Sequence, residues 1–433
     1  MPGGLAGRHL AYMALTTVIL TGCARAPAAT PAPATTLPSP YIPAEWPLLT
    51  EVRTVEAPRA LVASAHPLAS EVGAVIMRRG GNAVDAAVAV GFALAVVHPS
   101  AGNIGGGGFM VIRDTDGRVR ALDYRETAPG GATRDMYLDE QGALTEASTT
   151  GHRAAGVPGS VAGLAEAQRR FGRLPLGTVL APAMRLAHDG FALDERRSRG
   201  LRYAARRLRR FEASRRQFLT ADGEAPPVGT LFVQRDLART LQAVADSGPR
   251  VFYEGYIADL IVAEMERGGG LITKDDLAAY EAIWREPVEI SYRGHTIYSM
   301  PPSSSGGVTM GEILNIVESL GPPAPFGSTA QVHTMVEAMR RAFTDRNHLL
   351  GDPAFVDMPI ERLLSKDYAA ALGASIDPDR ATPSSDVQPA AAEGDHTTHY
   401  SVVDPDGMAV SVTTTINSGF GSAVTVAGAG FLL

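Results

Sequence analysis

The segment that most constrains the fold is residues 83–97, AVDAAVAVGFALAVV, where Asp85 is the only charge among small and apolar side chains. A helix of this composition has no face suited to water, so other elements must cover it on nearly all sides. Asn82 directly before it is a good N-cap, and His98 with Pro99 ends it. A preceding helix over 67–79 closes at Gly80 and Gly81. After it comes a glycine-rich stretch, AGNIGGGGF (101–109), then an apolar strand over 109–113, a turn at Asp116 and Gly117, and a return strand over 119–124. Strands are therefore expected to pack on a buried helix. That arrangement implies a layered α/β or α+β body.

Downstream, helical spacing marks 158–170, 180–188, 236–246 and 252–267, and Thr273 with Asp276 resembles a capping box. Residues 288–292 and 295–300 alternate across Arg293 and Gly294 as a hairpin, SSSGG (303–307) opens a helix to 320, and 330–349 forms another. Ten arginines fall between 196 and 216. In a chain with only two lysines, Lys274 and Lys366, this stretch reads as a solvated helix face, and no chemistry is assigned to it. The 433 residues carry a formal charge of −7 and show no basic stripe interleaved with aromatics, so nucleic acid is not an expected partner.

Several chemistries find no support. The run Gly102, Gly105, Gly106, Gly107 and Gly108 does not spell GxGxxG, and no Lys-Ser/Thr pair follows. Glycine there is expected to allow close backbone approach or to line a site with bare N–H groups. The histidines are scattered; only His396 and His399 are closely spaced, and on a strand their odd separation points them to opposite faces. No metal and no cofactor are expected. Cys23 is the only cysteine, which excludes intramolecular disulfides and cysteine catalysis in the body.

The chain from 394 to 421, GDHTTHYSVVDPDGMAVSVTTTINSGFG, holds two alternating strands, 399–403 and 408–415, joined by Asp404, Pro405, Asp406 and Gly407. A type I turn over Pro-Asp followed by left-handed Gly407 makes a three-residue loop closed by Asp404 and Met408. That register sets Thr397 opposite Thr415, whereas a two-residue loop would put Thr414 there. A threonine hydroxyl becomes a useful nucleophile when its own α-amine, freed by a cut before it, can take the proton. By composition alone these are ordinary β-branched strand residues.

Arg8 and His9 precede a short apolar run over 10–20 that ends in LTGC, as in a signal peptide with a lipoprotein cleavage box. The expected organisation is a signal peptide (1–22), lipidation of Cys23, and an Ala/Pro-rich tether (23–44). Apart from that lipid no membrane contact is expected, because no span of about 20 apolar residues follows. A periplasmic, membrane-anchored protein is implied.

GGNAVDAAVAVGFALAVVHPSAGNIGGGGFMVIR (80–113), LDYRETAP (122–129), GGLITKDDLAAY (269–280), YSMPPSSSGG (298–307) and TTHYSVVDPDGMAVSVT (397–413) closely resemble the gamma-glutamyltranspeptidases, or glutathione hydrolases. The resemblance implies an α+β fold, the αββα sandwich of the N-terminal nucleophile hydrolases. It also implies a proenzyme that cuts itself between His396 and Thr397 into a large-subunit region (45–396) and a small-subunit region (397–433). Thr397 would be the nucleophile of both self-cleavage and turnover, Thr415 its orienting hydroxyl, Asn417 a contact to the glutamyl group, and Arg125 the clamp on the substrate α-carboxylate. A planar guanidinium suits that last task because it can donate two parallel hydrogen bonds. A plain ion pair of Arg125 with Glu126 or Asp123 is the structural alternative. The loop 303–307 is assigned support only.

The expected substrates are glutathione and other γ-glutamyl amides, with water, amino acids or dipeptides as acceptors. The last residues, Gly430 to Leu433, read as the middle of an apolar strand. The family's small subunit is longer and normally carries the oxyanion hole, so a C-terminally truncated sequence is the economical expectation. Competing readings are a cephalosporin or glutaryl acylase and a catalytically dead, surface-attached binding protein.

Overall fold

The computed structural model describes residues 55–383 and 397–433; the signal peptide, tether, Cys23 and His396 lie outside the described residues. The compact body runs from Ala57 to Leu433. Strands β1 (Leu61–Ala63), β2 (Gly107–Arg113) and β3 (Val119–Asp123) come early in the chain. The short β4 (Phe191–Ala192) and β5 (Leu231–Phe232) pair with each other. Then follow β6 (Ile283–Arg285), β7 (Val288–Tyr292), β8 (His295–Ser299), β9 (Thr397–Val403) and β10 (Ala409–Thr415). The main sheet has the order β1-β9-β10-β2-β3-β6, and every pairing in it is antiparallel. Strands close together in space thus come from both ends of the body.

Helices α1 (Pro67–Arg78) and α2 (Ala83–Val97) lie beside this sheet, and every residue of α2 is buried. The covering of α2 is what its composition demands: exposing a single buried Val, Leu or Phe would cost roughly 1.5–3 kcal/mol. Its lone charge has a purpose. Asp85 completes a capping box with Asn82 and also accepts the backbone N–H groups of Arg173 and Leu174, at 2.8 and 3.3 Å. Thr398, Tyr400 and Val402 of β9 are buried, while alternate residues Thr397, His399 and Ser401 are exposed on the other face. Gly91 permits the tight fit of helix on sheet, since a Cβ there would lie 2.7 Å from the Tyr400 hydroxyl.

The middle of the chain is helical, as expected, with shifted boundaries. Helix α3 (Ser160–Phe171) is followed by α4 (Leu176–Asp189), which begins before its expected start and carries Pro182 in its interior. The arginine-rich stretch forms α5 (Glu195–Leu208) and α6 (Glu212–Phe218). After α7 (Arg235–Ser247), the single helix expected over 252–267 is two, α8 (Arg250–Tyr253) and α9 (Tyr256–Gly268), because the chain turns at Glu254 and Gly255. The short α10 (Lys274–Ala278) carries the capping box of Thr273 and Asp276. The hairpin β7–β8 packs with α11 (Gly306–Ser319), α12 (Thr329–Leu349), α13 (Ile360–Leu363) and α14 (Lys366–Ala374) around two small apolar clusters of their own. β1 and β6 have no counterpart among the expected elements; three residues are too few to show a period.

The last residues do not continue a strand. Thr425 and Leu432 form an isolated antiparallel bridge, and Phe431, Leu432 and Leu433 are buried against the core.

Candidate active site

The β9–β10 hairpin has the register of the three-residue loop. Asp404 N–H donates to the Met408 carbonyl at 3.0 Å, Gly407 has φ +85°, and Thr397 faces Thr415. Asp404 fixes this turn to the helix layer: one carboxylate oxygen accepts the Asp406 and Met408 N–H groups, and the other accepts the Ala83 N–H at 2.9 Å. The turn, the sheet and the start of α2 are therefore one rigid unit. At the far end of the ribbon the Thr397 hydroxyl donates to the Thr415 Oγ1 at 3.3 Å, and Thr415 Oγ1 also accepts the Asn417 N–H at 2.9 Å. Thr397 is exposed while Thr415 is buried. A nucleophile that donates its proton to a fixed oxygen keeps its lone pairs free for an incoming carbonyl carbon.

The glycine run supports this end of the sheet. A Cβ on Gly106 would lie 2.4 Å from the Thr415 carbonyl oxygen, and one on Gly108 equally close to that of Thr413. Close approach is thus the reason for glycine here. Within the same run sits Asn103, to which the sequence reading gave no role. Its Nδ2 donates to the carbonyls of Ala101 and Thr415 at 2.9 and 2.7 Å and to Thr414 Oγ1 at 3.3 Å. Its Oδ1 accepts the Gly106 N–H and the Ser160 hydroxyl, both at 2.8 Å. A lone amide in an otherwise glycine and apolar buried stretch was the available signal.

Beyond β10 the chain forms a loop with positive φ at Asn417, Phe420, Gly421 and Ala423. Such conformations cost of order 1–3 kcal/mol at non-glycine residues and persist only when surroundings enforce them. Arg207 of α5 supplies much of that enforcement, donating to the carbonyls of Gly419, Gly421 and Thr149 and to Thr150 Oγ1. Burial, with the neighbouring Arg210 charge, lowers the Arg207 pKa. This loop separates two cavities. Gly419 and Phe420 line one of about 380 Å³ together with Thr397. Asn417, Ser418 and Gly421 line the other, of about 190 Å³, together with Arg125. Arg125 and Asn417 thus share a pocket, and Thr397 reaches it through Thr415 and Asn417 rather than lining it.

Arg125 is half-exposed, with Nη1 3.0 Å from Glu126 Oε2. Burial raises the Glu126 pKa, opposed by the Arg125 charge. Asp123 is occupied elsewhere, by Arg285 Nε at 2.8 Å and the Ser303 hydroxyl at 3.1 Å, so the loop 303–307 props the strand behind Arg125. The Tyr280 hydroxyl donates to the Arg125 carbonyl at 2.8 Å. Arg125 is therefore held by its backbone, and it lines the smaller pocket. His399 lies among hydroxyls, those of Thr413 and Ser411 at 2.9 and 3.1 Å. No group of three or more His, Cys, Asp or Glu among the described residues could hold a metal ion.

An α+β body whose sheet strand begins at a threonine with an oriented hydroxyl has the form of the N-terminal nucleophile hydrolases, and its structural neighbours share that type. Residues 69–433 match the gamma-glutamyltranspeptidase family, and the chain belongs to that family. The glutathione hydrolase proenzyme of Escherichia coli (strain K12) is 45% identical over 431 residues, spanning 98% of this chain and 73% of that relative. The crystal structure of Helicobacter pylori gamma-glutamyltranspeptidase superimposes with a TM-score of 0.75 at 44% identity, covering 78% of this chain and 97% of that one. The cephalosporin acylase from Bacillus halodurans gives a TM-score of 0.78 at 31% identity, covering 91% and 72%.

Proposed function

We propose that the chain is a gamma-glutamyl hydrolase and transferase acting on glutathione and related γ-glutamyl amides after cleaving itself before Thr397. The observation that carries this is the Thr397 hydroxyl seated on Thr415 at the head of β9, one loop away from a pocket that pairs Arg125 with Asn417. In self-cleavage, Thr397 Oγ1 adds to the His396 carbonyl and the peptide nitrogen leaves, giving an ester that water hydrolyses to a His396 carboxylate and a free Thr397 α-amine. That amine then takes the hydroxyl proton as Thr397 attacks the γ-carbonyl of a substrate whose α-carboxylate rests on Arg125. The amine of the substrate leaves with a proton. Water or an acceptor amine resolves the γ-glutamyl ester on Thr397.

Arg125 can serve both as an ion pair and as a clamp, because Glu126 engages one Nη and the fork has further donors. The acylase alternative is favoured less, since three relatives named glutathione hydrolase, at 44–47% identity, exceed the two named acylase ACY 1 proenzyme, at 41%, and the cephalosporin acylase. Intact mass of the purified full chain tests the reading. We expect two fragments parted before Thr397, none in Thr397→Ala, and release of p-nitroaniline from its γ-glutamyl amide; an uncut wild type would overturn it.

The same reading includes a lipid anchor at Cys23 and a periplasmic location, supported by the apolar run ending in LTGC. Growth with an alkyne-labelled fatty acid should tag the wild type and not Cys23→Ser. Equal labelling of both would refute the anchor.

A further inference from the structure

The larger cavity, which holds Thr397, is walled by one stripe of α5: Arg196, Arg199, Tyr203 and Arg207 recur at helical spacing along it. The stretch read from sequence as a plain solvated face thus divides by function. Arg209, Arg210, Arg215 and Arg216 pair with Glu224, Glu146 and Glu212 and behave as that reading expects. The cavity side differs. Arg197 pairs with Asp194, and Arg207 is held by carbonyls and a hydroxyl. Arg196 and Arg199 have no hydrogen-bond or ion-pair partner among the described residues, and both are exposed. No aspartate or glutamate is among the described residues lining this cavity. Burial lowers the pKa of His98, another lining residue, to about 4, so its ring is neutral at pH 7. A net-acidic chain therefore places four guanidinium groups beside its nucleophile, of which only that of Arg197 has a carboxylate partner.

The partition by the loop 417–421 gives this charge a direction. With the glutamyl end of a substrate in the Arg125–Asn417 pocket and its γ-carbonyl carbon at Thr397, the departing amine points into the arginine-walled cavity. We infer that Arg196 and Arg199 form a carboxylate subsite for the leaving or accepting amine portion, selecting amino acids and peptides with a free C-terminal carboxylate over neutral amines. The inference rests on the γ-glutamyl reading for its orientation. Its chemistry is that of Arg forks donating paired, charge-assisted hydrogen bonds to a carboxylate.

The test is titration of the processed full chain with the dipeptide cysteinylglycine, which needs no turnover, beside Arg196→Ser/Arg199→Ser. Both positions are exposed, and matching melting curves verify the fold. We expect the double variant to bind the dipeptide about tenfold more weakly, as loss of charge-assisted bonds predicts. The C-terminal carboxamide of the dipeptide should bind wild type and variant alike. In turnover, the ratio of kcat/KM for glutathione to that for γ-glutamyl-p-nitroanilide should fall by about the same factor. Unchanged dipeptide affinity, or no binding to the wild type, would overturn the subsite. Dipeptide binding that depends on both arginines without any γ-glutamyl turnover would instead uphold the subsite and remove the γ-glutamyl reading.

Discussion

Replacing Asn103 by leucine, which keeps the same branched skeleton of side-chain heavy atoms, removes what its amide does. The variant strands the Ala101 carbonyl and the Gly106 N–H in a buried site, takes one donor from the Thr415 carbonyl, and removes the acceptor of the Ser160 hydroxyl. Each stranded buried group costs roughly 1–3 kcal/mol. Two such groups, with Ser160 free to turn and some relaxation of the loop, give an expected loss of about 2–4 kcal/mol, a large share of the roughly 5–15 kcal/mol that stabilises a typical domain. Urea unfolding followed by tryptophan fluorescence reads that loss as a lower midpoint. The functional consequence is separate. Because Asn103 pins the Thr415 carbonyl, the end of β10 should drift from Gly106 and carry the Thr415 hydroxyl away from Thr397. Cleavage before Thr397 should then be slower, by mass spectrometry of timed samples, even where the variant is still folded. A loss below about 1 kcal/mol with normal cleavage would refute this account, since the stranded groups would then have found other partners.

Arg207→Lys keeps the charge but replaces a planar fork holding three carbonyls by a single ammonium. We expect the loop carrying Asn417 to loosen, raising KM for γ-glutamyl-p-nitroanilide about tenfold with a much smaller change in kcat; equal changes in both would refute a positioning role. In the smaller helical cluster, burial and the neighbouring Asp345 carboxylate push Glu312 up to about 9, and Asp345 also accepts the Tyr368 hydroxyl at 2.6 Å. The folded chain retains a proton there that the unfolded chain releases above its ordinary 4.5, so this site's contribution to stability is present below that value and is lost as pH rises through about 9. Glu312→Gln can still donate to Asp345, so it should remove roughly 2 kcal/mol of stability loss between pH 6 and pH 8. Parallel unfolding midpoints for variant and wild type across that range would exclude this site as the cause.

The sequence by itself determined those features governed by neighbours a few residues apart. The buried character of 83–97, its Asn82 cap, the Thr273–Asp276 box and the Thr397–Thr415 register all follow from local period or turn geometry, and the structure has each of them. The motifs around Thr397 and Arg125 carried the family, which the comparisons show. What only the tertiary structure decided depends on contacts across long stretches of chain. Asn103 meets Thr415 across 312 positions and Arg207 meets Gly419 across 212, and no periodicity encodes such a meeting. The ten arginines looked alike in sequence because each has the same local surroundings. Folding separates them by giving some a carboxylate, one a set of carbonyls, and Arg196 and Arg199 an open cavity beside Thr397.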